Sequence, residues 1–186
     1  MKKIAIIISF VIFVGACIYI DIKKVSFFES SHTKNVISQF IFDGRNSSFT
    51  IDGVKITLKN GISETKIADS ASKIITRYFG NESYGDLNGD GLQDVAFLVS
   101  QETGGSGIFY YAVVALKTAT GYKTTNAFFI GDRIAPQTTE INTSARELYV
   151  NFAERKVGEP MTAQPSQGAT LYLKVTPAGV LEGLMN

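Results

Sequence analysis

Two long apolar runs joined by a glycine-rich connection are the feature that most constrains how this chain can fold. The runs are DVAFLVS at residues 94–100 and IFYYAVVAL at residues 108–116, and GGSG at residues 104–107 lies between them. Both are apolar on the two alternating faces of a strand. That pattern is typical of strands in the middle of a sheet whose two sides are covered. We therefore predict a buried central pair of strands.

Shorter segments of alternating character flank this pair. The dipeptide Asp52-Gly53 precedes VKITL and predicts a hairpin, because both central residues of a type I′ turn need positive φ. Asn60-Gly61 predicts a second turn. Further strands are predicted at residues 122–130, 147–152 and 170–175, with a turn and a short last strand at 176–184, whereas residues 70–80 fit either a strand or a short helix.

These segments amount to eight or nine short strands and at most two helices. The sequence therefore predicts a mainly β fold, with α+β left open: an antiparallel sandwich, roll or small barrel. We expect one β-rich domain at residues 47–186, since no low-complexity linker divides it. Residues 25–46 are expected to form a stalk or a short helix, and residues 1–24 a transmembrane or signal helix.

The expected membrane segment is the uncharged apolar run at residues 4–20. As a helix it would span roughly 26 Å, close to the thickness of a hydrocarbon core. One interpretation is an uncleaved signal anchor, with Lys2 and Lys3 keeping the N-terminus in the cytoplasm. The other is a bacterial lipoprotein signal, with Cys17 carrying lipid after the small residues Gly15 and Ala16. Both place the domain at the cell membrane, facing the periplasm or the cell exterior.

Composition excludes several kinds of site. Cys17 is the only cysteine and His32 the only histidine, so the sequence argues against disulfides, thiolate or multi-histidine metal sites, and a Ser-His-Asp triad. Beyond residue 24 the chain has 14 basic and 16 acidic residues and no basic cluster. We therefore expect no nucleic-acid partner.

The stretch GDLNGDGLQD at residues 85–94 has the spacing of a calcium loop. Calcium takes six to eight oxygen ligands, and alternate side chains of a tight loop can face one ion. Three carboxylates within nine residues would also repel one another without a cation. The sequence thus predicts a calcium-stabilised turn, although a plain surface turn would look similar. The expected ligands are Asp86, Asn88, Asp90, the carbonyl of Leu92, and Asp94 directly or through water.

The loop is not an EF-hand, because its twelfth position is Phe97 instead of a bidentate carboxylate. It resembles the shorter loops of integrin-type FG-GAP repeats, in which D-x-N-x-D-G-x-x-D runs straight into an apolar strand. Those repeats build propellers from several copies, and this chain has one copy. The resemblance therefore implies the local calcium chemistry and no propeller.

Two charged loops supply the other candidate site. GDRIAPQ contains Asp132 and Arg133, and ERKVGEP contains Glu154, Arg155 and Glu159. If the loops meet at one end of the sheet, these side chains could form salt bridges that hold the loops together or surround a bound ligand. Alternatively, two of the three carboxylates could catalyse hydrolysis as a general acid and base.

The motifs GDLNGDGLQDVAFLV, GGSGIFYYAVVAL, GDRIAPQ and GEPMTAQPS together resemble an uncharacterised family of small bacterial exported or membrane-anchored proteins. The resemblance implies an exported protein with a β-rich domain and transfers no catalytic residue. We expect a non-catalytic, membrane-tethered module that binds an envelope protein or a glycan. The alternatives are a cell-envelope hydrolase using Asp132, Glu154 or Glu159, and a structural or assembly accessory.

Overall fold

The computed structural model describes residues 41–184. The expected membrane segment at residues 4–20, its candidate lipidation site Cys17 and residues 25–40 of the expected stalk therefore lie outside the described residues. Among the residues that are described, no helix is long and apolar enough to cross a membrane.

The described part of the chain is mainly β and antiparallel, as the sequence predicts. A short 3₁₀ turn at Gly44–Asn46 precedes twelve strands, and residues 41–184 contain no α-helix. The strands are β1 Ser48–Ile51, β2 Val54–Thr57, β3 Ile62–Lys66, β4 Lys73–Gly85, β5 Asp94–Glu102, β6 Phe109–Thr118, β7 Gly121–Thr124, β8 Phe128–Asp132, β9 Ala135–Asn142, β10 Glu147–Glu154, β11 Gln167–Val175 and β12 Leu181–Gly183.

The strands form three sheets. The largest has the order β3-β4-β5-β6-β7, and β8 also pairs with β6. A second sheet has the order β12-β11-β10-β9, and β1 and β2 form a separate hairpin. Within each sheet the pairing is antiparallel. This agrees with the short connections between successive predicted strands, because parallel strands would need long crossover connections.

The central strands β5 and β6 are buried on both faces, which confirms the first prediction of the sequence. One face packs against the β12-β11-β10-β9 sheet, as in a sandwich, and the other is covered mainly by the β1-β2 hairpin. The buried members of the first core are Leu87, Ala96, Leu98, Ala112, Val114, Leu116, Ile134, Leu148, Val150, Phe152, Leu173 and Leu181. Those of the second are Phe49, Ile51, Ile56, Leu58, Val95, Phe97, Val99, Tyr111, Val113 and Ala115.

The predicted turns are present where the sequence places them. Asp52 and Gly53 join β1 to β2 with φ values of 49° and 80°. Asn60 and Gly61 have φ values of 54° and 87° and lie between β2 and β3. Residues 70–80, which fit either element, enter the thirteen-residue strand β4.

The prediction of one continuous strand at residues 122–130 is wrong. The structure divides it into β7 and β8, with a break at residues 125–127. Thr125 Oγ1 accepts a hydrogen bond from the Val114 N–H and donates one to the Asn126 carbonyl. The Asn126 side chain in turn bonds both backbone groups of Leu181 at 2.8 and 3.1 Å. These contacts redirect the chain between the two strands.

The predicted count of eight or nine strands is also too low. The sequence analysis missed β3 and β9, whose segments ISETK and APQTTEIN are largely polar and exposed. Strand β9 exists because it pairs with β10 over seven register positions. Its pairing partner, and not its own pattern, determines the strand.

Candidate functional site

The acidic loop connects β4 to β5 and is closed by its own hydrogen bonds. Asp86 accepts the N–H of Gly89 at Oδ1 (2.7 Å) and the N–H of Gly91 at Oδ2 (2.9 Å). Burial alone would raise the pKa of Asp86, but these N–H donors, with that of Asp90 and the nearby Arg146 charge, hold the pKa below its ordinary value. Asp86 is therefore an ionised carboxylate at the start of the turn.

Side chains in the middle of the loop also accept hydrogen bonds from backbone N–H groups of the loop. The Asn88 Oδ1 accepts the N–H of Asp90 at 3.0 Å, and the Asp90 Oδ1 accepts the N–H of Leu92 at 2.8 Å. Asn88 also donates its amide N–H to Asp90 Oδ2 at 3.0 Å. Gly91 has a φ of 81°, as expected for the sharp turn at the sixth position. These hydrogen bonds leave further lone pairs on the oxygens of Asp86, Asn88 and Asp90.

Asp94 differs from the other acidic residues because it is fully buried. Its Oδ2 accepts the Leu87 N–H and its Oδ1 accepts the Lys117 N–H, both at 2.9 Å. Burial raises the pKa of Asp94, and these N–H donors oppose that rise. The carboxylate thus ties the acidic loop to the end of β6.

The acidic loop contains all five ligands of the predicted calcium site. Across residues 41–184, no three His, Cys, Asp or Glu side chains are grouped so as to hold a metal ion. The predicted set also relies on the amide oxygen of Asn88 and the carbonyl of Leu92, which such a group does not include. All five predicted ligands belong to one closed turn, with Asp90 exposed and Asp94 buried. The calcium site stays a prediction.

The first charged loop follows β8. Arg133 binds the Asp132 carboxylate through two nitrogens, with Nη2 to Oδ2 at 2.6 Å and Nε to Oδ2 at 3.0 Å. Asp132 Oδ1 also accepts the Ile108 N–H at 3.0 Å. The Arg133 hydrogen bond is the main reason that the pKa of Asp132 lies below its ordinary value.

The second charged loop contacts the first through Arg155. Its Nη1 donates to the Arg133 carbonyl at 2.8 Å, and its Nε donates to the Ala163 carbonyl at 2.7 Å. The two loops therefore meet, and Arg155 lies close enough to help lower the pKa of Asp132. Glu159 accepts the N–H of Lys156 within its own loop at 3.0 Å. Glu154 is exposed at the end of β10.

A groove that no sequence pattern predicted lies beside the acidic loop, at one end of the two packed sheets. Its volume is about 510 Å³, and it lies between the acidic loop, the β9–β10 turn and the β11–β12 turn. Arg146, Glu147 and Lys174 line it, and none of them belongs to a motif. Three turns far apart in the chain form the groove, so no local pattern could have revealed it.

No family model, no curated protein and no solved structure matches the chain. The resemblances drawn from the sequence motifs therefore stay predictions.

Proposed function

We propose that this chain is a membrane-tethered, extracytoplasmic β module that binds an envelope partner, with the acidic loop as a calcium-stabilised turn. The tether is the apolar run at residues 4–20 or a lipid on Cys17. Within the described residues, the module is a sandwich whose loops are fixed by hydrogen bonds and ion pairs. The partner is an envelope protein or a glycan.

The state of the charged loops is the observation that carries the binding function. A cell-envelope hydrolase would need two available carboxylates, one of them with a raised pKa to act as an acid. Asp132 is instead bound by Arg133 and its pKa is lowered, so Asp132 does not fit the role of that acid. Glu159, by contrast, accepts a backbone N–H of its own loop, and Glu154 is exposed. Arg155 is engaged with two backbone carbonyls. The contacts hold two loops in one conformation, which suits a rigid binding surface.

The calcium part of the proposal rests on the closed acidic loop. Its turn already directs Asp86, Asn88 and Asp90 into a fixed arrangement, and their oxygens retain lone pairs for a hard cation. A bound ion stabilises the folded chain by mass action. The full chain in detergent should therefore melt at a higher temperature in excess calcium than in chelator.

A matched variant makes the melting test specific. Asp90→Asn keeps a side-chain acceptor for the loop but removes one negative charge, so it should reduce the calcium-dependent shift. Glu140→Gln removes a carboxylate from β9 instead and should leave the shift intact. An unchanged melting temperature in the native chain, with and without calcium, would contradict the calcium site.

The tether is tested by the intact mass of the chain extracted from membranes. A full-length mass supports the signal anchor, and a lipidated chain starting at Cys17 supports the lipoprotein. Protease added to spheroplasts should digest the module in either case. Recovery of an unmodified chain in the cytosolic fraction, protected from protease, would refute the proposed location.

A further inference from the structure

The groove at the end of the sandwich has an apolar floor. Leu87, Leu116, Val175 and Leu184 line it; Leu87 and Leu116 belong to the core between the two sheets, and Val175 packs against that core. A volume of about 510 Å³ lies within the ~300–1,000 Å³ of small-molecule sites. The floor can therefore take the apolar part of a small ligand.

Asp90 and Lys174, two of the charged residues that line the groove, already have partners. Both oxygens of Asp90 accept hydrogen bonds within the loop. Lys174 pairs with Glu182 across β11 and β12 at 3.4 Å. Glu147 precedes Leu148, which pairs with Leu173, so Glu147 lies beside Lys174 on the adjacent strand. Glu147, Lys174 and Glu182 therefore form a row of alternating charge across β10, β11 and β12.

Of the two basic residues that line the groove, Lys174 has an ion-pair partner among the described residues and Arg146 does not. Within residues 41–184 it makes no ion pair shorter than 4.0 Å, although it is near enough to Asp86 to lower the pKa of that carboxyl. Its guanidinium lies against the acidic loop, because a Cβ on Gly89 would be 2.3 Å from Arg146 Cζ. The planar group is thus positioned at the groove with donors available for an anion.

We propose that the groove binds a small anionic amphiphile, meaning a carboxylate, phosphate or sulfate group on a compact apolar body. Arg146 binds the anion, and the leucine-lined floor covers the apolar part. Neither Asp132 nor Arg155 lines this site, so it does not depend on the function proposed for their loops, although it adjoins the acidic loop at Asn88, Gly89 and Asp90.

Fluorine NMR of the full chain in detergent tests this directly. The probe is para-(trifluoromethyl)phenylacetate, and its primary amide has the same apolar body without the charge. A detergent blank corrects for partition into micelles. The acid should bind about tenfold more tightly than the amide, the change expected from one charge-assisted hydrogen bond.

Two variants locate the binding. Arg146→Gln should remove the preference for the acid, whereas Arg77→Gln, on an exposed ion pair of β4, should retain it. Ala145→Trp should block both probes by filling the groove, whereas Ala71→Trp, in the exposed β3–β4 turn, should not. Circular dichroism verifies that each variant is folded. If Ala145→Trp does not fold, the comparison of acid and amide binding in Arg146→Gln tests the proposal alone.

Several results would overturn the proposal. These are equal affinity for acid and amide, tighter binding of the para-(trifluoromethyl)benzylammonium cation than of the acid, an acid preference that survives in Arg146→Gln, or no binding of the acid at millimolar concentration. Each would mean that the groove does not select an anion through Arg146.

Discussion

Replacing Asp94 by alanine tests whether the buried carboxylate holds the acidic loop in place. The change leaves the N–H groups of Leu87 and Lys117 without their acceptor. A buried donor left unsatisfied costs about 1–3 kcal/mol, so the two together cost about 2–6 kcal/mol. Removal of a buried charge offsets part of this. We expect the free energy of unfolding to fall by about 2–4 kcal/mol, combining these two effects.

Asp90→Ala is the matched control in the same loop. Asp90 also accepts two hydrogen bonds, but it is exposed, so water can replace its carboxylate. Its loss should cost about 1 kcal/mol or less. Asp94→Asn should be intermediate, because the amide keeps one acceptor and turns its NH₂ toward the other donor.

Guanidinium unfolding of the full chain in detergent, followed by circular dichroism with chelator present, gives the three free energies. Equal losses for Asp94→Ala and Asp90→Ala would refute the reasoning, since burial would then have no bearing on the effect. A loss for Asp94→Ala below about 1 kcal/mol would do the same.

Changes at three other positions have defined outcomes. Phe97→Ala should lower the free energy of unfolding by about 3–5 kcal/mol, and Phe97→Leu by less, because Phe97 is fully buried; denaturant unfolding measures both. Asp132 has a lowered pKa, so its stabilisation is present above its ordinary value of 3.8 and is lost as pH falls below it. Arg133→Gln should reduce that pH-dependent part of the stability, as melting at several pH values would show, and the Ile108 N–H and Arg155 should retain the rest. The hydrogen bond to Glu82, together with burial, raises the pKa of Tyr84 to about 12, so Glu82→Gln should lower the midpoint for Tyr84 in an alkaline absorbance titration.

Local signals predicted the parts of the fold that short segments determine. The Asp52-Gly53 turn follows from backbone preferences of the two residues themselves, and the buried strands β5 and β6 follow from their own apolar runs. The break between β7 and β8 depends instead on Asn126 reaching Leu181, which lies 55 residues away. Contacts of that kind cannot be read from the pattern of residues 122–130.

The candidate sites likewise include features that a short segment determines and features that depend on contacts between distant segments. The spacing within residues 86–94 predicted a tight turn, and the structure has a turn there, with Gly91 at positive φ. The groove was not predictable, because Arg146 reaches it from a turn more than fifty residues after the acidic loop. The sequence also left open what the charged loops do, since the contact from Arg155 to the Arg133 carbonyl joins two separate segments.

The hydrogen bonds of the acidic loop also limit what calcium can do there. Three neighbouring carboxylates would repel one another without a cation, but backbone N–H groups of the chain already bind Asp86, Asp90 and Asp94. An N–H donor stabilises the charged form of a carboxylate, as a cation does. Calcium would therefore add stability to a turn that is already closed, and folding should not depend on it. The circular dichroism spectrum in chelator should then match that in calcium, with only the melting temperature changed. A chain that unfolds when calcium is removed would show that the N–H donors are insufficient.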